Sequence, residues 1–200
     1  MNTKEAIKSR RAIKQFDPDH KMPEEVEKEL LSLGMLAPTA FNIQNWRFVV
    51  VKDPALREQI KEAAGGQAQV SDSSLFIVMC ADLNSWKRDP KRYWANTAQG
   101  VQDFMLPAID GYYRDKPSVQ RDEAMRSCGL AAQTLMLAAR ELGYDSCPMD
   151  GFDFARVGEL IQLPDDHVVT MFVAIGKAAS EAWPRGGQLG MDDIVIRDRF

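Results

Sequence analysis

The chain has few of the residues that build disulfide, metal or thiol chemistry. Among 200 residues there are three cysteines, Cys80, Cys128 and Cys147, far apart and without a Cys-x-x-Cys pair. They read as small apolar residues kept reduced. The two histidines, His20 and His167, stand alone in polar, turn-like surroundings, which argues against a histidine-based metal site. Long apolar runs are missing too. The longest, Leu75 to Ala81, is far too short to span a bilayer, and residues 1–22 lack the apolar core of a signal peptide. The expectation is a cytoplasmic protein with no membrane partner. No strand-like run is followed by Gly-x-Gly-x-x-Gly and there is no Walker loop, so neither common glycine loop holds a nucleotide here. Internal repeats and low-complexity linkers are absent as well.

What is present begins with charge. Five of the first fourteen residues are basic (Lys4, Lys8, Arg10, Arg11 and Lys14), yet the whole chain carries a formal charge of −4. The overall acidity argues against a general nucleic-acid binder, whose basic residues cover a whole face. A local cationic knot on an acidic chain is suited to holding one small anion. Arginine's planar fork donates two parallel hydrogen bonds to a phosphate.

The length suits a single domain over residues 1–200. Residues 3–9 read as a short helix. Pro23 and the following acids open a stronger helix, with Val26, Leu30, Leu33 and Ala37 on one face and Pro38 as its end. Arg47–Lys52 reads as a strand, Pro54–Ala64 as a helix stopped by Gly65-Gly66, and Leu75–Ala81 as a central strand buried on both faces. Tyr93–Tyr113 reads as an aromatic helix bent or broken at Pro107, and Glu123–Leu142 as a long helix rich in small residues. Phe154–Ile161 is a short helix with Asp153 as N-cap, and Val168–Ile175 another buried strand. Residues 176–200, with Pro184, Gly186, Gly187 and Gly190, read as an extended arm. So few strands among so many helices predict an α+β sandwich with a small central sheet surrounded by helices.

Three further stretches carry candidate chemistry. In Ala37–Phe48 a Pro-Thr-Ala turn precedes Asn42 and Gln44, whose amides can read the polar edge of a planar ring. In Cys147–Asp153, Gly151 offers a backbone conformation that brings N–H groups against a ligand. In Trp183–Leu189 an arginine, Arg185, sits in a flexible turn.

Taken in order, these elements resemble the FMN-dependent nitroreductase family over nearly the whole chain. Arg10-Arg11-Ala12-Ile13-Lys14-Gln15-Phe16 resembles its Arg-Arg-Ser-x-Arg-x-Phe element. Ala37-Pro38-Thr39-Ala40-Phe41-Asn42-Ile43-Gln44-Asn45-Trp46-Arg47-Phe48 resembles its Ala-Pro-Ser-x-x-Asn-x-Gln-Pro-Trp-x-Phe loop. Pro148–Asp153 matches its Pro-x-x-Gly-Phe-Asp element, and Pro184–Leu189 its Pro-Lys-x-x-Gln-Leu turn, with Arg185 for lysine. Ala12 stands where serine is usual and Asn45 where proline is usual.

The resemblance implies a nitroreductase-like fold with a small mixed or antiparallel sheet, and an intertwined homodimer with FMN at the subunit interface. It places Arg10, Arg11 and Arg185 on the FMN phosphate, with Ala12 beside them, and Lys14 at the N1/O2 edge. Gln67 and Gln69 would meet the pyrimidine edge, and the backbone of Asp150 and Gly151 would lie near N5. Pro38, Thr39, Ala40 and Asn42 would reach the flavin of the partner subunit. The activity implied is ping-pong transfer from NAD(P)H to a nitroaromatic, quinone or similar acceptor, with no metal and no protein nucleophile. Phe104, Tyr112 and Tyr113 would belong to a substrate lid. A flavin-storage protein, a colourless anion-binding or nucleic-acid module using the N-terminal cations, and other reductions on this fold, such as dehalogenation or enone reduction, are the alternative readings.

Overall fold

A computed structural model describes residues 1–200. Eight helices surround one antiparallel sheet of order β1-β2-β4-β3, formed by β1 (Trp46–Val50), β2 (Leu75–Asp82), β3 (Asp145–Met149) and β4 (His167–Gly176). The helices are α1 (Thr3–Ser9), α2 (Glu24–Gly34), α3 (Pro54–Ala63), α4 (Gln69–Asp72), α5 (Gln99–Tyr113), α6 (Pro117–Glu141), α7 (Phe154–Leu160) and α8 (Met191–Ile194).

Strand β2 explains the layering. All eight of its residues are buried, and the two-residue period of a strand sends them to opposite faces. Leu75, Ile77, Met79 and Ala81 join one core with Leu30 of α2 and Ala131, Ala132 and Leu135 of α6. Phe76, Val78 and Cys80 join the other with Ile60 of α3, Val157 of α7, and Ile13 and Phe16 from the N-terminal segment. The small residues of α6 let its backbone lie close to the sheet. A satellite cluster of Ile43, Trp86, Ile109 and Tyr113 ties α5 to the loop before β1.

Several expectations need correction. Helix α2 ends at Gly34, well before Pro38, and a 3₁₀ turn at Ala40–Asn42 follows. Tyr93–Tyr113 is two elements, a 3₁₀ turn at Pro90–Trp94 and then α5, which runs unbroken through exposed Pro107. Helix α6 starts at Pro117, whose fixed φ suits the first turn, and not at Glu123. The Cys147–Asp153 stretch, not expected to form a strand, has its first residues in β3. Pro148 is tolerated there because β3 is an edge strand. The arm is largely exposed and includes the short helix α8. Asp153 does cap α7, accepting from the Arg156 N–H at 3.0 Å.

Candidate flavin site

Helix α1 delivers the first cations. Asn2 and Glu5 cap it reciprocally, each side chain accepting from the other's backbone N–H at 3.0 Å, and Arg10 follows its last turn. The chain then runs beside β3. Ala12 pairs with Ser146, and the Ile13 N–H donates to the Ser146 carbonyl at 3.1 Å. Ile13 and Phe16 are buried, so the residues between them, Lys14 and Gln15, face outward. Farther on, the Asp17 N–H donates to the Lys177 carbonyl at 2.8 Å and the Ala179 N–H to the Gln15 carbonyl at 2.9 Å. Those bonds bring the start of the arm onto the N-terminal segment.

The arm closes an open cavity of about 480 Å³ lined by Arg10, Arg11, Ala12, Lys14 and Trp183–Gln188. Arg185 donates through Nη2 to the carbonyls of Lys8 at 2.9 Å and Arg10 at 3.3 Å, and Arg11 donates to the Trp183 carbonyl. No acidic side chain lines the cavity, and none of Arg10, Arg11, Lys14 and Arg185 has a carboxylate within 4.0 Å. Four uncompensated cations repel one another in the absence of an anion, so their convergence marks an anion site.

Lys14 Nζ lies 3.9 Å from Cys147 Sγ. Burial pushes the Cys147 thiol up; Lys14 and Gln69 oppose it without reversing it. The sulfur is therefore neutral at neutral pH and does not pair with Lys14 as an anion. Gln69 is buried, and Gln67 donates from Nε2 to the Gly151 carbonyl at 3.0 Å. The backbone N–H groups of Asp150 and Gly151 have no acceptor within the chain. Gly151 does not adopt a positive φ. A Cβ there would meet only Gln67 Nε2 at 3.7 Å, and its absence leaves the peptide open to close approach.

The residues fit FMN. A phosphate would meet guanidinium groups that have no carboxylate partner, a ring edge taking up negative charge would meet Lys14, and the N–H groups of Asp150 and Gly151 would remain for the ring. Trp183, Gly186, Gly187 and Gln188 join the wall without having been singled out; their signal was the turn around Arg185.

The other predicted residues gather elsewhere in the chain. In the Pro38–Gln44 loop, Phe41, Asn42 and Gln44 have φ of 53°, 55° and 49°. Left-handed backbone at a phenylalanine and a glutamine is strained, and the loop is held by its own bonds. Thr39 Oγ1 accepts from the Gln44 N–H at 2.9 Å, the Asn42 N–H donates to the Thr39 carbonyl at 3.0 Å, and Asn42 Nδ2 donates to the Tyr93 carbonyl at 2.9 Å. The Phe41 ring lies 5.3 Å from that of Tyr112. Phe104 is 70% exposed, whereas Tyr113 is 2% exposed and stacked near Trp86. Tyr113 thus anchors α5 to the loop before β1, and its ring is covered within the chain. Tyr112 donates to Glu123 at 2.8 Å, which pins that end of α5 to α6.

His167 is not isolated, as the sequence suggested. Its Nδ1 pairs with Asp166 at 2.7 Å, and Asp82 completes a cluster of metal-ligand type. Arg47 and Arg88 each reach Asp82 at 3.2 Å, and Arg88 also binds Asp166. Two guanidinium groups already neutralise the carboxylates that a cation would need. No helix is long and apolar enough to cross a membrane.

Residues 7–177 match the Nitroreductase family. The chain belongs to that family. It is 50% identical over 182 residues to the protein DrgA of Synechocystis sp., covering 91% of this chain and 87% of that one. It is 31% identical over 209 residues to an NADH dehydrogenase of Thermus thermophilus, covering 98% and 96%. A candidate nitroreductase of Exiguobacterium sibiricum, solved in complex with FMN, superposes with a TM-score of 0.88 at 30% identity over 98% of this chain and 97% of its own. This family member is an NAD(P)H-dependent oxidoreductase with FMN as its cofactor, on the nitroreductase-like α+β fold.

Proposed function

We propose that the protein oxidises NAD(P)H and reduces small acceptors, nitroaromatics or quinones, which take turns in one site at a homodimer interface. The observation that carries this reading is the carboxylate-free cavity of Arg10, Arg11, Lys14 and Arg185 beside the free N–H groups of Asp150 and Gly151. Bound FMN supplies the two-electron chemistry. Arg10, Arg11 and Arg185 hold its phosphate. Lys14 places a fixed positive charge where reduction adds negative charge, which favours the reduced state without rearrangement. Gln67 and Gln69 offer amides to the ring edge.

The Pro38–Asn42 loop and the α5 lid form a second group, joined to each other by Phe41, Asn42, Tyr93 and Tyr112. A second copy of the chain would bring this group over the first. Leu36, Leu130, Trp183 and Ile194, all well exposed, offer apolar surface for that association. In the assembled site, Phe104 and Tyr112 would exclude water from the reacting atoms.

The test is the visible spectrum of the purified protein. We expect a flavin band that bleaches under anaerobic NADH or NADPH and returns on adding a quinone or nitroaromatic. A colourless protein would remove the flavin reading. A yellow protein that bleaches only over hours would make it a storage protein.

A further inference from the structure

Four of the six residues from Lys87 to Arg92 are basic, a second cationic run on a chain of net charge −4, and the flavin cavity uses none of them. The structure divides their charges. Asp82, 2% exposed, receives Arg47 and Arg88, and Arg88 also binds Asp166. Lys91 and Arg92 have no carboxylate within 4.0 Å. The Arg92 guanidinium lies 4.7 Å from the centre of the Tyr93 ring and donates to Tyr93 Oη at 2.6 Å. That hydroxyl donates in turn to the Ser85 carbonyl at 3.2 Å. Arg92 is therefore positioned without being neutralised. With Arg47, Gln44, Trp46 and Tyr93 it lines an open cavity of about 410 Å³ that contains no acidic side chain. The Asn42 bond to the Tyr93 carbonyl ties this cavity to the loop assigned to the flavin of the second copy.

We propose that this cavity is an anion subsite for the phosphate groups of the dinucleotide donor, with Arg92 the principal contact and Lys91 adding attraction at longer range. The inference rests on the reading that the Pro38–Asn42 loop covers a flavin. The donor carries two or three phosphates, and the chain has no glycine loop for them. Arg10, Arg11 and Arg185 are committed to the FMN phosphate. When the nicotinamide lies on the flavin, its phosphates trail outward past the lid, and Arg92 sits in the turn leading into that lid. A guanidinium fixed over a ring is preorganised for such a contact.

The experiment compares Arg92→Gln, and Lys91→Gln combined with Arg92→Gln, with the parent enzyme loaded with FMN. The donors are NADH, NADPH and the phosphate-free N-benzyl-dihydronicotinamide. We expect kcat/KM for the phosphate-bearing donors to fall about tenfold, mostly through KM, as loss of one partly exposed charge-assisted bond dictates. The phosphate-free donor should react as before. A fall confined to NADPH assigns the contact to the 2′-phosphate, and a fall shared with NADH assigns it to the diphosphate. Calorimetric titration with 2′,5′-ADP should show the same weakening without turnover. Unchanged KM for both dinucleotides overturns the proposal, and so does an equal loss with the phosphate-free donor. Failure of the flavin reading would show separately, as a parent enzyme that the phosphate-free donor does not reduce.

Discussion

Replacing Arg185 with alanine should separate flavin binding from phosphate binding. One nitrogen of the guanidinium, Nη2, is bonded to the carbonyls of Lys8 and Arg10. Nε and Nη1 make no bond within the chain and remain for a ligand. A hydrogen bond to a charged group contributes about 1.5–3 kcal/mol. Arg185 is exposed at the rim, where solvent and salt weaken it, so the lower part of that range applies, about 1.5–2 kcal/mol. That corresponds to a tenfold to thirtyfold rise, roughly, in the FMN dissociation constant. The assay is quenching of flavin fluorescence on titrating apo-protein, with FMN and with riboflavin. Riboflavin lacks the phosphate and should bind parent and variant alike. Raising the salt concentration should narrow the FMN difference. Equal losses for both flavins would refute the reasoning, since Arg185 would then act only by tethering the arm. An unchanged FMN constant would refute it too.

Two other outcomes follow from the same geometry. Lys14→Ala should make the bound flavin harder to reduce, with a midpoint potential on the order of 30 mV more negative, the two-electron equivalent of about 1.4 kcal/mol. Spectroelectrochemistry measures this, and an unchanged potential with FMN still bound would take Lys14 out of that role. Gly34→Ala should destabilise the fold, because the added Cβ would lie 2.7 Å and 2.8 Å from Leu135 Cδ2 and Cγ and 3.3 Å from Phe48. Overpacking costs about 1–3 kcal/mol, of which alanine's better helix propensity returns up to about 1. A melting temperature that stays level or rises would contradict it.

The central sheet was legible where apolar runs were continuous. Leu75–Ala81 reveals itself because both faces of β2 are covered, as they are over Phe172–Ile175 of β4. Strand β3 was hidden because Pro148 reads as a turn, and only its edge position makes proline acceptable. The start of α6 was missed because residues 117–122 are mostly polar, and Pro117 signals a first turn only once a helix is known to follow. In the site, the cations were legible one by one as charge out of keeping with an acidic chain. Their convergence was legible only through the family resemblance and not from the residues alone, because Arg10 and Arg185 are joined by bonds between the two ends of the chain. Tyr113 shows the opposite failure. Aromatic content alone does not tell an exposed ring such as Phe104 from one buried against Trp86.

The junction of residues 8–14 with residues 183–188 has a consequence for the order of synthesis. The sheet is finished at Gly176, and both cores flanking it are built largely from residues that precede that point. The cationic cavity needs Trp183 and Arg185, which leave the ribosome later. A nascent chain can therefore settle its architecture while its earliest cations still wait for their counterpart. A chain cut short just after Lys177 should fold, resist proteolysis over most of its length, and fail to retain its flavin.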